Sequence, residues 1–441
     1  MNTEDISTTQ NEEIWQNAIL VGLQTDQKDD VFERMMEELE QLAEACHIYT
    51  IAVFTQRAQN PVHATYIGSG KVAEVAHAVK ELEAAYVIFD QTLSPMQFRN
   101  LNKELGVEVM DRTGLILRIF AEQARTREAR LQVEHAQLQY IMPRLAGMWT
   151  HLGRQAGSSG SMSNRGLGET QLELDRRHIE RRMAELEKEL KGIAKERTTQ
   201  REKRLRSGIP RVSLVGYTNA GKSTIMNRLL AINENPLDGK NVLEQDKLFA
   251  TLDTTVRKIQ PKGERPILLS DTVGFIDELP TSLVKAFRST LEEVKYADLL
   301  IQVIDYSDSD YRACMKVTEE TLREIGAAGI PMICVFNKAD LVHDLPYEIP
   351  AVRNDSIYMS AGTGIGIRQL WELISKKLRE NMQECQFHIP YTQGSILHRL
   401  QESAEVLSVD YQAEGIAVTA RCGDEIKNRY QEFAVGVDAV I

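Results

Sequence analysis

The stretch "RVSLVGYTNAGKST", residues 211–224, determines the fold of the central part of the chain. It contains an apolar strand that runs into Gly216-x4-Gly221-Lys222-Ser223, followed by a helix pattern. Glycines in such a loop allow the backbone to wrap closely around a phosphate, so that amide groups and the helix N-terminus face the anion. We therefore predict a nucleotide-binding loop in which Lys222 meets the β- and γ-phosphates and Ser223 is a ligand of Mg²⁺. The predicted contact residues of the loop are Gly216, Tyr217, Thr218, Asn219, Ala220, Gly221, Lys222, Ser223 and Thr224.

Two later apolar strands end in polar residues of the kind that surround a nucleotide. The strand "PILLS" is followed by "DTVG", residues 271–274, and "MICVF" is followed by "NKAD", residues 337–340. We predict that Asp271 holds magnesium through water and that the Gly274 amide senses the γ-phosphate. We also predict that Asp340 accepts from N1–H and the exocyclic amine of guanine, which adenine does not offer.

A further strand-end segment, "IYMSAGTG", places the backbone of Ser360 and Ala361 where it can contact the guanine oxygen. Each segment alone is a weak signal, but their order and spacing together predict a guanine-nucleotide-binding domain. Its expected fold is Ras-like α/β with a central, mostly parallel sheet. The predicted nucleotide contacts in these segments are Asp271, Thr272, Val273, Gly274, Asn337, Lys338, Ala339, Asp340, Ser360, Ala361 and Gly362.

A switch segment is expected between the two phosphate-contacting segments, and "FATLDTTVRKI", residues 249–259, lies there. One threonine of such a segment caps Mg²⁺ and the γ-phosphate. Thr251, Thr254 and Thr255 all qualify, and the residues alone do not choose among them.

Residues 14–111 alternate apolar runs with amphipathic stretches. The runs "AILVGL", "YTIAVF", "AYVIFD" and "VEVMD" have the pattern of strands, and the segments that begin at Val31, Ser69 and Ser94 have the pattern of helices. This alternation predicts a small α/β domain with a largely parallel sheet.

Two long helices are predicted next, from Leu115 to Leu145 and from Gln171 to Arg206. They are expected to form an antiparallel hairpin, an arm with a glycine- and arginine-rich loop of residues 151–168 at its tip. The coiled-coil seam of the second helix consists of Ile179, Met183, Leu186, Leu190 and Ile193.

The charge of the chain is unevenly distributed. The net charge is −12, but residues 112–211 hold 21 Lys and Arg against 12 Asp and Glu, a net of +9, which leaves −21 for the rest. An acidic chain is a poor general binder of nucleic acid, and no DNA partner is expected. The basic segment indicates a local contact with a polyanion, with a solvated charged helix face as the alternative.

The motifs "GYTNAGKST", "FATLD", "DTVGFI" and "NKAD" resemble those of the HflX branch of the Obg–HflX translation-factor GTPases. The resemblance extends to "YIGSGKVAEV", "QLQYIMPRL" and "RGLGETQLELDRR" outside the nucleotide-binding domain. It implies that Thr251 is the magnesium-facing threonine, so that the metal ligands are Ser223 and Thr251 and the catalytic residues are Lys222, Thr251 and Gly274. The same motif adds Phe249, Ala250, Leu252 and Asp253 to the nucleotide contacts.

The resemblance also implies a partner and an activity. The chain is expected to bind GTP, GDP and the large ribosomal subunit, with rRNA contacts through residues 112–211 and the tip loop 151–168, and to split stalled or hibernating ribosomes. A ribosome-assembly GTPase that acts on large-subunit precursors, and a GTP-switched adaptor for a protein partner, remain alternatives. The arm favours the ribosome, because an adaptor has little need of a +9 segment.

The roles of Asn219 and of the segment 68–71 leave alternatives open, and the question about Asn219 begins with Phe275. Phe275 follows Gly274, where Ras-like enzymes carry a glutamine that orients water, and phenylalanine cannot do this. Asn219 matches the position at which potassium-dependent relatives hold K⁺ near the phosphates, or it only stabilises the loop turn. "GSGK", residues 68–71, is half of a phosphate-binding loop, or only a glycine-rich turn between a strand and a helix.

The expected domains are residues 1–112, an N-terminal α/β domain; 113–207, the helical arm; 208–383, the nucleotide-binding domain; and 384–441, a small C-terminal α/β domain without an assigned role. Five scattered cysteines without a CxxC pair, a polar N-terminus and no apolar run of membrane-spanning length indicate a cytoplasmic protein. We expect a monomer, with peripheral membrane association left open.

Overall fold

The computed structural model describes residues 15–145, 164–206, 208–233, 255–262, 264–272, 274–275, 294–343, 345–380 and 382–435. For residues 164–172, 197–206, 402–403 and 424–425 it describes the backbone alone. The chain divides into two compact units, with the division inside a long helix at Leu190 and Lys191. Among the helices of the described residues, none is both long and apolar enough to span a bilayer.

The N-terminal domain confirms the predicted parallel α/β sheet. Its strands are β1 Gln16–Gln24, β2 Ile48–Arg57, β3 Tyr86–Phe89 and β4 Glu108–Asp111, in the order β2–β1–β3–β4, all parallel. Helices α1 Asp29–Ala45, α2 Ser69–Glu81 and α3 Pro95–Leu105 alternate with the strands. Ser94 caps α3 by accepting from the Gln97 amide at 3.3 Å.

The predicted first arm helix, Leu115 to Leu145, is wrong as a single element. The chain instead forms α4 Arg112–Gln123 and α5 Arg127–Ile141. Ala124 is extended, with ψ of 103°, and Thr126 caps the new helix by accepting from the Ala129 amide at 3.1 Å. A capping threonine therefore separates two helices where the apolar pattern alone continues.

The second arm helix, α6 Asn164–Arg206, is 43 residues long and begins earlier than predicted. Residues 164–168 of the expected tip loop are therefore helical, and residues 151–163 lie outside the described part of the chain. Leu186 of the predicted seam is fully buried, and the other four seam residues are half-buried.

The hairpin of α5 and α6 is antiparallel, as predicted. Arg182 Nε and Nη2 donate to the two carboxylate oxygens of Glu134 at 2.7 and 2.9 Å. Further towards the start of α5, Arg127 Nη2 donates to Glu189 at 2.7 Å. Positions later in one helix thus meet positions earlier in the other.

The end of α5 is fastened to the N-terminal domain by a cluster around Asp111, which is fully buried at the end of β4. The Asp111 carboxylate accepts from the amides of Leu93 and Gly114 at 2.9 and 2.8 Å, from Tyr140 Oη at 2.8 Å and from Arg144 Nη2 at 3.2 Å. The Arg144 guanidinium also lies 3.8 Å from the centre of the Tyr140 ring. The chain therefore leaves α5 at the N-terminal domain and not at the far end of a free arm.

Two arginines that contribute to the +9 segment are unavailable to a polyanion. Arg112 is 3% exposed and pairs with Glu38 at 2.8 Å, and Arg144 is 7% exposed in the Asp111 cluster. These two positions of the segment 112–211 therefore do not contribute to the predicted polyanion contact, because their charges pair with Glu38 and Asp111.

The nucleotide-binding domain is built on a seven-stranded sheet in the order β10–β11–β9–β8–β5–β7–β6. The central strands are parallel, while β6 and β10 are antiparallel at the two edges, which confirms the predicted mostly parallel sheet. Its elements are β5 Arg211–Gly216, α7 Lys222–Leu230, β6 Thr255–Ile259, β7 Ile267–Asp271, β8 Leu299–Asp305, α8 Tyr311–Glu324, β9 Met332–Asn337, β10 Ala351–Arg353, β11 Ser356–Tyr358 and α9 Ile367–Glu380.

The C-terminal domain combines an antiparallel sheet with two short helices. The strand order is β13–β14–β12–β15, and Phe387 and Leu400 lie in its fully buried core. Its elements are β12 Gln383–Ile389, α10 Ser395–Ser403, β13 Glu405–Gln412, β14 Gly415–Cys422, α11 Asp424–Arg429 and β15 Ala434–Val435.

Candidate nucleotide-binding site

The predicted phosphate-binding loop lies at the carboxyl end of β5, where a ligand of a parallel α/β sheet is expected. The Thr218 amide donates to the Phe275 carbonyl at 2.8 Å, and the Phe275 amide donates to the Gly216 carbonyl at 3.0 Å. Gly221 has a φ of +93°, and a Cβ there would lie 2.2 Å from Asn337 Nδ2. The loop is thus held on two sides, and only glycine fits at position 221.

Lys222 is buried at the first position of α7. Its Nζ donates to the carbonyls of Gly216 and Tyr217 at 3.1 and 2.7 Å, so the ammonium group lies inside the curve of the loop. Burial lowers the pKa of Lys222 to about 8, while the negative charge of Asp271 acts in the opposite direction. Because burial destabilises this positive charge, phosphate groups brought next to it would stabilise it.

Ser223 and Asp271 form an oxygen-rich pair next to Lys222. Ser223 Oγ donates to Asp271 Oδ2 at 2.8 Å, and Asp271 is fully buried at the end of β7. A hydroxyl and a carboxylate side by side at a phosphate-binding loop are the donors that Mg²⁺ takes in such sites. The residues present therefore fit the ion, which would be held by Ser223 directly, with Asp271 beside it, and would neutralise phosphate charge when bound.

Thr272 and Gly274, which follow Asp271 in the motif "DTVG", have distinct surroundings. The Thr272 side chain is buried and donates to the Leu214 carbonyl at 2.7 Å, so its hydroxyl is committed to the sheet. A Cβ on Gly274 would lie 2.8 Å from Thr218 Cα and 2.9 Å from Lys222 Nζ. Glycine at position 274 lets this segment approach the loop closely, which is the placement that the predicted γ-phosphate contact requires.

Phe275 is 4% exposed and belongs to a hydrophobic cluster with Val215, Val294 and Leu300. Its side chain is therefore part of the core, and its backbone fastens the phosphate-binding loop. This placement explains the phenylalanine in structural terms. It agrees with the expectation that residue 275 does not orient the attacking water.

Asn337 connects three segments on the guanine side of the site. Its Nδ2 donates to the Ala220 carbonyl of the loop at 2.9 Å, and its Oδ1 accepts from the Ala361 amide at 2.9 Å. Lys338 has a φ of +58°, and its Nζ pairs with Asp305 Oδ2 at 2.7 Å. Ala339 is buried, and Asp340 is exposed in a short 3₁₀ turn after β9.

The segment of residues 360–364 refines the prediction for the guanine oxygen. The amides of Ser360 and Ala361 are already used, since they donate to the Ile365 carbonyl at 3.0 Å and to Asn337. The Thr363 amide donates to Ser360 Oγ at 3.3 Å. Among the described residues, the Gly362 amide has no acceptor, which makes it the donor available to a base.

Sequence analysis missed two residues of this site. Arg228 Nε donates to the Ala361 carbonyl at 3.0 Å, and its Nη2 donates to the Gly362 carbonyl. Asp305 holds Lys338, as described above. Asp305 had a usable signal, because it ends the apolar run "LLIQVID" just as Asp271 ends its own strand. Arg228 gave no such signal, because it meets residues more than 130 positions away.

Several predicted contacts lie outside the described residues: Phe249, Ala250, Thr251, Leu252, Asp253 and Val273. Of the competing threonines, Thr255 is the first residue of β6 and pairs with Asp271 in the ladder. Asn219 is exposed, with a φ of +58°, and its side chain has no hydrogen-bond partner among the described residues.

The "GSGK" segment has the contacts of a turn between a strand and a helix. The Gly68 amide donates to Gln56 Oε1 at 2.9 Å, and Lys71 Nζ pairs with Glu74 at 2.8 Å. These contacts favour the structural interpretation of the motif.

Comparison with known proteins identifies the family. Residues 33–121 match the family model described as GTP-binding GTPase N-terminal, residues 123–204 match GTP-binding GTPase Middle Region, and residues 211–338 match 50S ribosome-binding GTPase. The chain is 42% identical to GTPase HflX of Caldanaerobacter subterraneus subsp. tengcongensis, over 95% of this chain and 94% of that protein. The chain belongs to the HflX family of GTPases. Two other members, from Alkalihalophilus pseudofirmus and Escherichia coli, are 44% and 39% identical, over 87% and 88% of this chain and the same shares of their own lengths.

Membership in the HflX family confirms that the chain is a GTP hydrolase that binds GTP and GDP. P-loop GTPases of this kind use Mg²⁺ with the nucleotide, which agrees with the Ser223 and Asp271 pair. The individual roles assigned to the site residues remain predictions.

Proposed function

We propose that this GTPase binds the large ribosomal subunit and uses GTP binding and hydrolysis to split or rescue stalled or hibernating ribosomes. The observation that carries the proposal is helix α6. It begins at Asn164, within the predicted tip loop of residues 151–168, and continues to Arg206, five residues before β5, the strand that enters the phosphate-binding loop. The same chain segment thus joins the arm to the nucleotide site.

The distribution of charge along the arm supports contact with RNA at its ends. Residues 173–196 of α6 contain seven basic and seven acidic residues, so this part is neutral. Its arginines form pairs within the helix, for example Arg176 with Glu180 at 3.0 Å. The following residues, 197–206, carry five basic residues and one acid, and the tip loop carries Arg154 and Arg165 without an acid. Phosphate contacts from these ends would make ribosome binding strongly dependent on salt.

The test changes the tip loop in the full chain. Replacing Arg154 and Arg165 with glutamate should leave GTP binding by the isolated protein unchanged, because the loop is distant in sequence from all the segments that are predicted to contact the nucleotide. Loss of two phosphate contacts and addition of two like charges should slow ribosome splitting by roughly tenfold or more. Light scattering measures splitting, and turnover with added large subunits measures stimulation of the GTPase.

A matched control is Arg368→Glu, an exposed arginine on α9 of the nucleotide-binding domain. It should leave splitting unchanged. If a variant without the tip loop splits ribosomes as fast as the parent, the loop is only a connector and ribosome splitting loses its structural support. A gradient profile of the ribosomal particles then separates the alternative functions. An assembly factor would accompany large-subunit precursors, whereas an adaptor for a protein partner would accompany neither precursors nor mature large subunits.

We also propose that K⁺ binds near Asn219 and replaces the missing glutamine. The proposal is supported by the exposed side chain of Asn219, three positions before Lys222, which has no hydrogen-bond partner among the described residues and carries an amide oxygen that a cation can bind. A cation there would offset the negative charge that develops during phosphoryl transfer, as an arginine finger does.

A further inference from the structure

Arg228 lies in the last turn of α7, the helix that begins with Lys222, and holds two successive carbonyls of a distant segment. Its Nε donates to the Ala361 carbonyl at 3.0 Å, and its Nη2 donates to the Gly362 carbonyl. A guanidinium suits this task because its planar fork presents several donors in fixed directions. Neither carbonyl is part of the ladder between β9 and β11. Arg228 therefore constrains a part of the backbone outside the sheet.

The Ala361 carbonyl and the Gly362 amide belong to one peptide unit. Because that unit is planar and trans, the orientation of the carbonyl fixes the orientation of the N–H at its other end. The Gly362 amide is the one between residues 360 and 364 that has no acceptor among the described residues, as shown above. A Cβ at position 362 would meet no atom within 4 Å, so packing does not restrain this glycine. The Ala361 carbonyl also accepts from the Gly364 amide at 3.3 Å, so Arg228 and this local turn together restrain the orientation of the peptide, and Arg228 provides the shorter of the two contacts with the carbonyl.

We propose that Arg228 is a positioning residue for guanine recognition. By holding the Ala361 carbonyl, it aims the Gly362 N–H at the O6 oxygen of the base. The positive guanidinium also polarises the peptide, which strengthens its N–H as a donor. The inference rests on the placement of guanine between Asp340 and the 360–364 segment, and it adds a residue of the phosphate-binding helix to the recognition of the base.

The test compares two ligands of the full chain that differ at one atom. GDP carries O6, whereas 6-thio-GDP keeps N1–H and the exocyclic amine but has sulfur, a weak acceptor, at that position. Arg228→Ala should weaken GDP binding by about tenfold and 6-thio-GDP binding by less than about threefold, because only the oxygen uses the positioned donor fully. Arg228→Lys keeps the charge but not the fork and should fall between the parent and alanine. Titration calorimetry measures both affinities.

The control is Arg368→Ala, which removes an exposed arginine from α9 without a contact to the 360–364 carbonyls. It should leave both affinities unchanged. Equal weakening of GDP and 6-thio-GDP by Arg228→Ala, or no weakening of either, would overturn the proposal. If alanine prevents folding, the lysine variant decides by the same criterion. If the parent binds both ligands equally, O6 is not read at all, and the placement of guanine is at fault instead of the role of Arg228.

Discussion

Asp271 and Asp111 occupy equivalent places in two different parallel sheets, yet they have different surroundings. Each is the last residue of a strand, β7 or β4, and each is fully buried. The Asp111 carboxylate accepts from two backbone amides, a tyrosine and an arginine, which belong to the N-terminal domain and to the helices that follow it. Asp271 instead lies next to Lys222 and Ser223 at the phosphate-binding loop. A buried carboxylate that accepts hydrogen bonds from several protein donors stabilises the fold. A buried carboxylate next to a ligand-binding loop contributes instead to binding that ligand.

The largest effect is expected from Asp111→Asn, which keeps the size of the side chain but removes its charge. Arg144 would then be a buried cation without its carboxylate, and such a loss typically costs about 3–5 kcal/mol. Hydrogen exchange in peptides spanning residues 107–145 should accelerate by roughly 100-fold or more. Peptides of the phosphate-binding loop in the same sample are the internal reference and should not change.

A milder variant measures the contribution of a single hydrogen bond in the Asp111 cluster. Tyr140→Phe removes one donor to Asp111 but keeps the ring that stacks on Arg144. It should cost about 1 kcal/mol, the usual net contribution of one hydrogen bond. If Asp111→Asn has no larger effect than Tyr140→Phe, the charge of Asp111 does not hold the end of α5, and the contrast with Asp271 disappears.

Asp271→Asn should have the opposite profile, with little change in stability and a large loss of activity. Without the carboxylate, Mg²⁺ is held less firmly, and GTP turnover should fall on the order of 100-fold. Asp355→Asn, which alters a surface pair with Lys377, is the control and should keep full turnover. Steady-state turnover over a range of Mg²⁺ concentrations gives the measurement. A variant that unfolds easily but hydrolyses GTP normally would place Asp271 in the same class as Asp111.

The apolar strands before these two aspartates do not distinguish them, because each aspartate ends such a strand. The neighbours of Asp271 in "DTVG" identify it, since a glycine that admits close approach is a local requirement. The alternation of strands and helices and the phosphate-binding loop were predictable for the same reason, as each depends on residues close together in the chain.

Most of the features that sequence analysis missed depend on contacts between distant residues, and the exception is a local helix cap. The break between α4 and α5 lacks glycine or proline, and only the cap at Thr126 marks it. Arg112 and Arg144 contribute to the charge of the basic segment, but their partners, Glu38 and Asp111, lie outside the local pattern of the sequence. Arg228 likewise acquires its role from carbonyls that lie far along the chain.

The smallest effect is expected at Asn219, which extends the comparison from carboxylates to an amide. The Tyr140 hydroxyl in α5 donates to Asp111, whereas the exposed Asn219 side chain has no hydrogen-bond partner among the described residues. If it binds K⁺, turnover should be several-fold faster in potassium than in sodium at equal ionic strength. Asn219→Gly should bring the rate in potassium down to the rate in sodium, because glycine keeps the φ of +58° without strain and removes only the amide. Asn219→Ala is a poorer choice, since a left-handed alanine costs about 1 kcal/mol or more in the loop itself. The contrary result is an equal rate of the parent in both salts, with and without large ribosomal subunits. It would mean that Asn219 serves to adopt the left-handed backbone of the loop, and that its exposed amide binds no cation.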